Sequence, residues 1–196
     1  MPSPDPARPV RSDARRNRDK LVAVARAAFA AADGSAANDT VALETVAREA
    51  GVGIGTLYRH FPTREALVEA VYAAELDDVT DSAPALLGTL APEQALRAWM
   101  DRYAAFVATK RGMADVLRAS VASGRIATPA TRQRITAAIG TILDAGAKAG
   151  TLRADAAPED VTLLLLGTFL STADERDPER TGRMLDLIVD ALRVRP

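Results

Sequence analysis

Val46-Ala47-Arg48-Glu49-Ala50-Gly51-Val52-Gly53-Ile54-Gly55-Thr56-Leu57-Tyr58-Arg59-His60-Phe61-Pro62-Thr63-Arg64-Glu65-Ala66-Leu67 is the stretch whose reading decides the fold. Leu43, Val46, Ala47 and Ala50 repeat on one helical face. Gly51 follows directly, the residue with which a helix stops in the left-handed conformation. After Val52-Gly53 a second short pattern runs through Ile54, Leu57, Tyr58 and Phe61, until Pro62 breaks it. Thr63 can cap a further helix, and Glu65 suits its positive end. A short helix, a glycine turn and a second short helix with an apolar inner face describe a helix-turn-helix. In that geometry the first helix crosses a phosphate backbone and the second enters a major groove. The tight turn needs Gly51, and the crossing of the two helices needs the small Ala47.

Outward from this stretch the chain reads as helices. Residues 1–11, rich in proline and arginine, read as a disordered basic arm. A helix then opens at Ser12 or Asp13 and carries Leu21, Val24, Ala25, Ala28 and Phe29; residues 33–39 are a loop by composition. Downstream, one helix runs from Arg64 to about Asp78, and Thr80 to Leu90, with Ser82, Pro84 and Gly88, reads as a connector. Further helices run from Pro92 to about Lys110, Met113 to Ala122, Thr128 to Gly150, Glu159 to about Thr172, and Pro178 to Val194. No internal repeat and no alternating strand pattern is found. The expected fold is all-α, about nine helices. A three-helix helix-turn-helix domain spans 12–63, and a larger helical domain spans 64–196.

Composition supports this and excludes several functions. The 196 residues are 48% hydrophobic but only 4% aromatic, so alanine, leucine and valine do the apolar work and helices are favoured over sheets. There is no cysteine and His60 is the sole histidine, which excludes thiolate chemistry and a multi-histidine metal site within one chain. With no nucleophile elbow and no phosphate loop either, no catalytic residue, metal or cofactor is expected; Asp77, Asp78 and Asp81 read as a solvated acidic patch. The proline-rich, polar start is no signal peptide, and no apolar run is long enough to span a bilayer, so a cytoplasmic protein without a membrane partner is expected. The net charge of −1 hides an asymmetry: residues 1–64 hold ten Lys/Arg against seven Asp/Glu, and the rest hold fifteen against nineteen. A basic front and an acidic rear suit one nucleic-acid face.

The quoted run also resembles the DNA-binding signature of TetR-type (tetracycline-repressor-like) regulators, over roughly residues 13–72. A chance helix-turn-helix would not carry Gly-Thr-Leu-Tyr at 55–58, His-Phe at 60–61 and Arg-Glu-Ala-Leu at 64–67 in register. Further on, Gly150-Thr151-Leu152-Arg153 with Asp155, then Pro158-Glu159-Asp160-Val161, is similar to the C-terminal part of many members. The resemblance implies a ligand-responsive transcriptional repressor. It would bind a palindromic double-stranded DNA operator as a homodimer and be released by a small, mostly apolar effector. The alternative is a helical protein-interaction module with a degenerate helix-turn-helix.

Site residues follow from the resemblance. Tyr58 and His60 take positions where members contact phosphate; by residue type alone both would read as structural. Thr56 takes a position that can reach base edges, its methyl suiting a thymine methyl. Arg64 takes a phosphate-contacting position at a helix start, Gly53 and Gly55 leave room for close approach to DNA, and Arg59 is left between DNA and solvent. Members often carry Ser or Thr at the position of Val41 or Ala42, and here Thr40 is the substitute. They often carry Ser and then a basic residue where Gly53 and Ile54 stand, so direct base contacts are expected to be few. Shape readout and the arginine-rich arm of Arg8, Arg11, Arg15, Arg16, Arg18 and Lys20 are expected to carry more of the binding.

In the larger domain Trp99, Tyr103, Phe106 and Val107 form a stripe that reads as core, and the resemblance implies that the same helix region lines a ligand cavity. Met100, Met113, Leu117, Ser120, Val121 and Phe169 are further lining candidates. The resemblance implies a dimer interface on the last two helices, with packing inside the chain as the alternative use of the same residues. The interface candidates there are Leu163, Gly167, Leu170 and Ser171, then Leu185, Ile188 and Leu192.

Overall fold

The computed structural model describes residues 7–31, 41–111, 113–172 and 178–194. Among the described residues there are nine helices and no strand: α1 (Ala7–Ala31), α2 (Leu43–Glu49), α3 (Ile54–His60), α4 (Arg64–Leu87), α5 (Pro92–Arg111), α6 (Ala114–Ala122), α7 (Thr128–Ala149), α8 (Pro158–Ser171) and α9 (Pro178–Leu192). The chain divides into two compact units, Met1–Ala74 with Ala108–Ile126 and Glu75–Val107 with Ala127–Pro196. The expected boundary lies between residues 63 and 64; the division into units lies elsewhere. It falls inside α4 and again inside α5, where no turn residue marks it.

The first unit is built on α1, α2 and α3, which pack on one another. Leu21, Val22, Ala25 and Phe29 of α1 are buried, as are Val46 and Ala47 of α2, Leu57 of α3, and Phe61. The turn between α2 and α3 has the form its sequence suggests. Gly51 stands at φ 67°, its N–H bonds the Arg48 carbonyl, and the Val52 N–H bonds the Ala47 carbonyl at 3.0 Å. Those two bonds satisfy carbonyls that the end of α2 would leave open, and the positive φ is the reason for glycine. Thr63 caps α4, its hydroxyl accepting the Ala66 N–H at 3.2 Å. The helix α1 begins at Ala7, ahead of the expected Ser12 or Asp13. Pro9 lies within its first turn, where a missing N–H costs nothing, so residues 7–11 of the expected disordered arm are helical; residues 1–6 lie outside the described residues.

In the second unit α7 packs on α8, and α8 on α9. Here the helix α4 corrects the sequence reading. It continues through Pro84 to Leu87 instead of giving way to a connector near Thr80. Proline removes one helical hydrogen bond and crowds the turn before it. The bond lost is the one to the Thr80 carbonyl, and the Val79 carbonyl beside it takes donors from side chains. The Trp99 indole N–H donates to it at 3.0 Å and the Ser82 hydroxyl at 2.8 Å. At the end of α7, Gly150 adopts φ 70° and the chain reverses so tightly that a Cβ on Gly146 would sit 2.4 Å from Leu152. An isolated bridge between Leu152 and Arg193 then ties this turn to the chain beyond α9.

Candidate nucleic-acid interface

The helix α3 has one buried and one open side. Leu57 is fully buried and Phe61, just past the helix, is 3% exposed, so these two anchor it. Tyr58 is 44% exposed and Ile54 41% exposed. Gly53, Gly55 and Arg59 are also exposed, and Thr56 and His60 are half-buried. Six of the expected DNA-binding residues thus stand on or beside one short outward helix, and Thr40 lies outside the described residues. Ile54 is an addition. Its apolar character suggests a core position, but in the first turn of a seven-residue helix it has little to pack against.

Gly53 and Gly55 are informative because nothing inside the protein requires them. Gly53 has φ −68°, Gly55 is helical at ordinary φ, and a Cβ on either would meet no atom within 4 Å. Both helices of the motif start without side-chain caps, α2 at Ala42 and α3 at Gly53. The hydroxyl absent from Ala42 is absent from the helix start itself.

Arg64 is engaged within the protein. Its guanidinium turns inward, with Nη1 donating to the Val41 carbonyl at 2.6 Å and the group lying 5.7 Å over the Phe29 ring. It fastens the approach to α2 onto α4, a use that local sequence cannot reveal because the acceptor is 23 residues away. Arg18 of α1 lies 5.4 Å over the Phe61 ring, beside His60 at the end of α3.

The expected ligand-lining residues are drawn from both units. Trp99, Met100, Tyr103, Phe106 and Phe169 belong to the second unit and are buried there. Trp99 and Tyr103 stack at 5.5 Å between ring centres, Tyr103 and Phe106 at 5.9 Å, and Phe169 meets Tyr103 edge-on at 5.3 Å. Met113, Leu117, Ser120 and Val121 belong to the first unit. Met113 and Leu117 are buried, Val121 is 44% exposed, and the buried Ser120 hydroxyl donates to Glu69 of α4 at 2.7 Å. Arg125 donates to the same carboxylate oxygen at 2.5 Å. Burial pushes the Glu69 carboxyl up, but the Ser120 and Arg125 hydrogen bonds outweigh it and hold it below the ordinary range. Two surface grooves lie in the second unit, one of about 580 Å³ between α7 and α8 and one of about 490 Å³ between α5 and α9. None of the expected lining residues borders either groove.

On the last two helices the expected interface residues differ in exposure. Leu163 is 57% exposed and Leu170 77% exposed, with Gly167 and Ser171 also facing out. Leu185, Ile188 and Leu192, by contrast, are buried at 1%, 8% and 6% exposure, so this stripe is the intrachain face of α9. The outward apolar residues of α9 are Met184 and Leu187, at 37% and 64% exposure. Two apolar stripes share one helix, and periodicity does not say which faces in.

The chain is similar to proteins of a known family. The family model described as bacterial regulatory proteins, tetR family, matches residues 36–71. A second model, described as the C-terminal domain of SbtR-like transcriptional regulators, matches residues 91–194. The crystal structure of the TetR transcriptional regulator SCO0520 from Streptomyces coelicolor is 44% identical, covers 91% of this chain and 99% of its own, and superposes with a TM-score of 0.80. A TetR transcription regulatory protein from Mycobacterium vanbaalenii is 34% identical over 94% of this chain and 99% of its own, with a TM-score of 0.70. A transcriptional regulator from Cytophaga hutchinsonii, 16% identical over 89% of this chain and 97% of its own, shares the fold at a TM-score of 0.63. Among curated proteins, none matches the chain. The chain belongs to the TetR family of DNA-binding transcriptional regulators, and its larger domain is of the SbtR-like kind. Members of this family are regulators rather than enzymes. No helix among the described residues is long and apolar enough to cross a membrane.

Proposed function

We propose that this regulator is a repressor that binds a palindromic operator as a homodimer and lets go when a small, mostly apolar molecule enters its larger domain. The outward face of α3 carries the reading: Thr56, Tyr58, Arg59 and His60 project from a helix anchored by Leu57 and Phe61, beside two glycines with no internal purpose. In this proposal Tyr58 and His60 contact phosphates, Thr56 and the neighbouring Ile54 meet base edges and thymine methyls, and Gly53 and Gly55 let the backbone approach. Arg64 acts indirectly, by holding α2 to α4. Symmetric half-sites lie roughly 34–36 Å apart, which requires two copies of α3 in fixed register.

The Trp99, Tyr103, Phe106 and Phe169 cluster supports an apolar effector, since it is aromatic and uncharged. It is close-packed, so effector binding has to select an opened arrangement in which the half-site spacing no longer fits. A gel shift on the chain's own promoter region across a salt series tests the DNA reading. A steep loss of affinity with salt is expected. No binding at any salt would leave the protein-interaction reading, which the uncapped Ala42 and the apolar Ile54 favour. Crosslinking the two reading heads tests the spacing step: if effector still abolishes binding to the locked pair, release does not work through spacing.

A further inference from the structure

The inward face of α1 changes character along its length. Val22, Ala25 and Phe29 are buried against the rest of the reading head. Seven residues earlier in the same register, Arg15 precedes Val22 and Arg18 precedes Ala25. The change occurs where Arg18 lies over the Phe61 ring, one residue from His60. Arg8 and Arg11 continue the same spacing toward the start of the helix. The other cations of the segment are placed differently: Arg16 is engaged by Asp13 in an i,i+3 pair, and Lys20 lies off this line. Arg15 and Arg18 are exposed, and among the described residues neither has a carboxylate partner.

This placement works against the helix itself. The first turn of α1 contains no acidic residue and does contain an arginine, at the end where the helix dipole is already positive. A phosphate backbone resolves the conflict, since it complements both the guanidinium row and the helix start. We propose that the first half of α1 is a second DNA-binding element, in which Arg15 and Arg18 neutralise backbone phosphates next to those met by the end of α3. The partner is duplex DNA through its phosphates, so the contribution is to affinity and salt dependence on any sequence, while α3 supplies the choice of site. The inference rests on α3 being the reading helix.

The test uses the full chain and two duplexes of about three helical turns, one from its own promoter region and one of mixed sequence. Binding is followed by fluorescence anisotropy between about 50 and 200 mM salt. Arg15→Gln is expected to weaken both duplexes by the same factor and to flatten the slope of log affinity against log salt by about 1; Arg15→Gln with Arg18→Gln flattens it by about 2. Arg15 is exposed, and thermal melting checks that the single and the double variant stay folded. Arg16→Gln removes the same charge from a different side of the helix and is expected to leave the slope nearly unchanged. If Arg16→Gln flattens the slope as much as Arg15→Gln, diffuse charge explains the effect and the proposal fails. If the Arg15 and Arg18 variants keep the parent slope while Tyr58→Ala weakens binding, the proposal fails and the α3 reading stands. If the parent chain binds neither duplex, both fall together.

Discussion

A glycine that nothing in its own protein needs points outward for its explanation. Gly55 sits in the first turn of α3 at ordinary helical φ with open space where a Cβ would stand. Gly55→Ala should therefore stabilise the folded chain by about 0.5–1 kcal/mol, because alanine loses less backbone freedom on entering a helix. The same methyl would keep the backbone from a phosphate or base edge, so affinity for DNA should fall at least tenfold. Thermal melting and anisotropy on one protein preparation read the two effects. A variant both more stable and equally tight would remove close approach as the role of Gly55. Ala42 gives the complementary case. It is the N-cap of α2 and offers no side-chain acceptor, so Ala42→Ser should add about 1 kcal/mol to stability, read as a shift in the denaturant midpoint.

At the scale of elements, the tie between α4 and α6 is a carboxylate held by a hydroxyl and a guanidinium. Glu69 titrates lower in the folded chain than unfolded, and that fixes the sign of its contribution. The stabilisation is fully present above the unfolded value of about 4.3 and is lost as the pH falls through the folded value. Glu69→Gln should cost about 1 kcal/mol at neutral pH, a figure kept small because Arg125 is 48% exposed, and should flatten the acid limb of the stability curve below about pH 4.5. An unchanged acid limb in chemical denaturation would show the tie to be inert. The elements also show where sequence reading succeeds. The span from α2 to the start of α4 was legible because its signals are local: Gly51 at a positive φ, Thr63 at a cap, Leu57 and Phe61 on one face. What was not legible depends on partners distant in sequence. Pro84 and Ser82 look like a connector until the Trp99 indole is found on the Val79 carbonyl, 20 residues away along the chain. Arg64 reads as a phosphate ligand, and nothing local shows that Val41 is an acceptor for it. On α9 the pattern was visible and its facing was not.

For the whole molecule the question is what covers the outward leucines of the second unit. Leu163, Leu170 and Leu187 are each more than half exposed, and Met184 joins Leu187 on the outward side of α9. Burying a leucine of this kind contributes about 1.5–3 kcal/mol, so several together offer enough to hold two copies. The small Gly167, open on its Cβ side, sits between Leu163 and Leu170 and would let a partner helix approach closely. If this face pairs with its own copy, Leu170→Glu should turn a dimer into a monomer in analytical ultracentrifugation while the helical circular dichroism stays intact. Leu185→Glu, which puts a charge where only 1% of the residue is exposed, should instead unfold the domain. The contrast separates an interface from a core. DNA binding should follow assembly. The monomeric Leu170→Glu protein retains every residue of α3, yet it should lose most of its affinity for a two-half-site duplex and behave on it as it does on a single half-site. A Leu170→Glu protein that stays dimeric would place the pairing face elsewhere. One that is monomeric yet binds the full site as tightly as the parent would mean that this regulator reads DNA one half-site at a time.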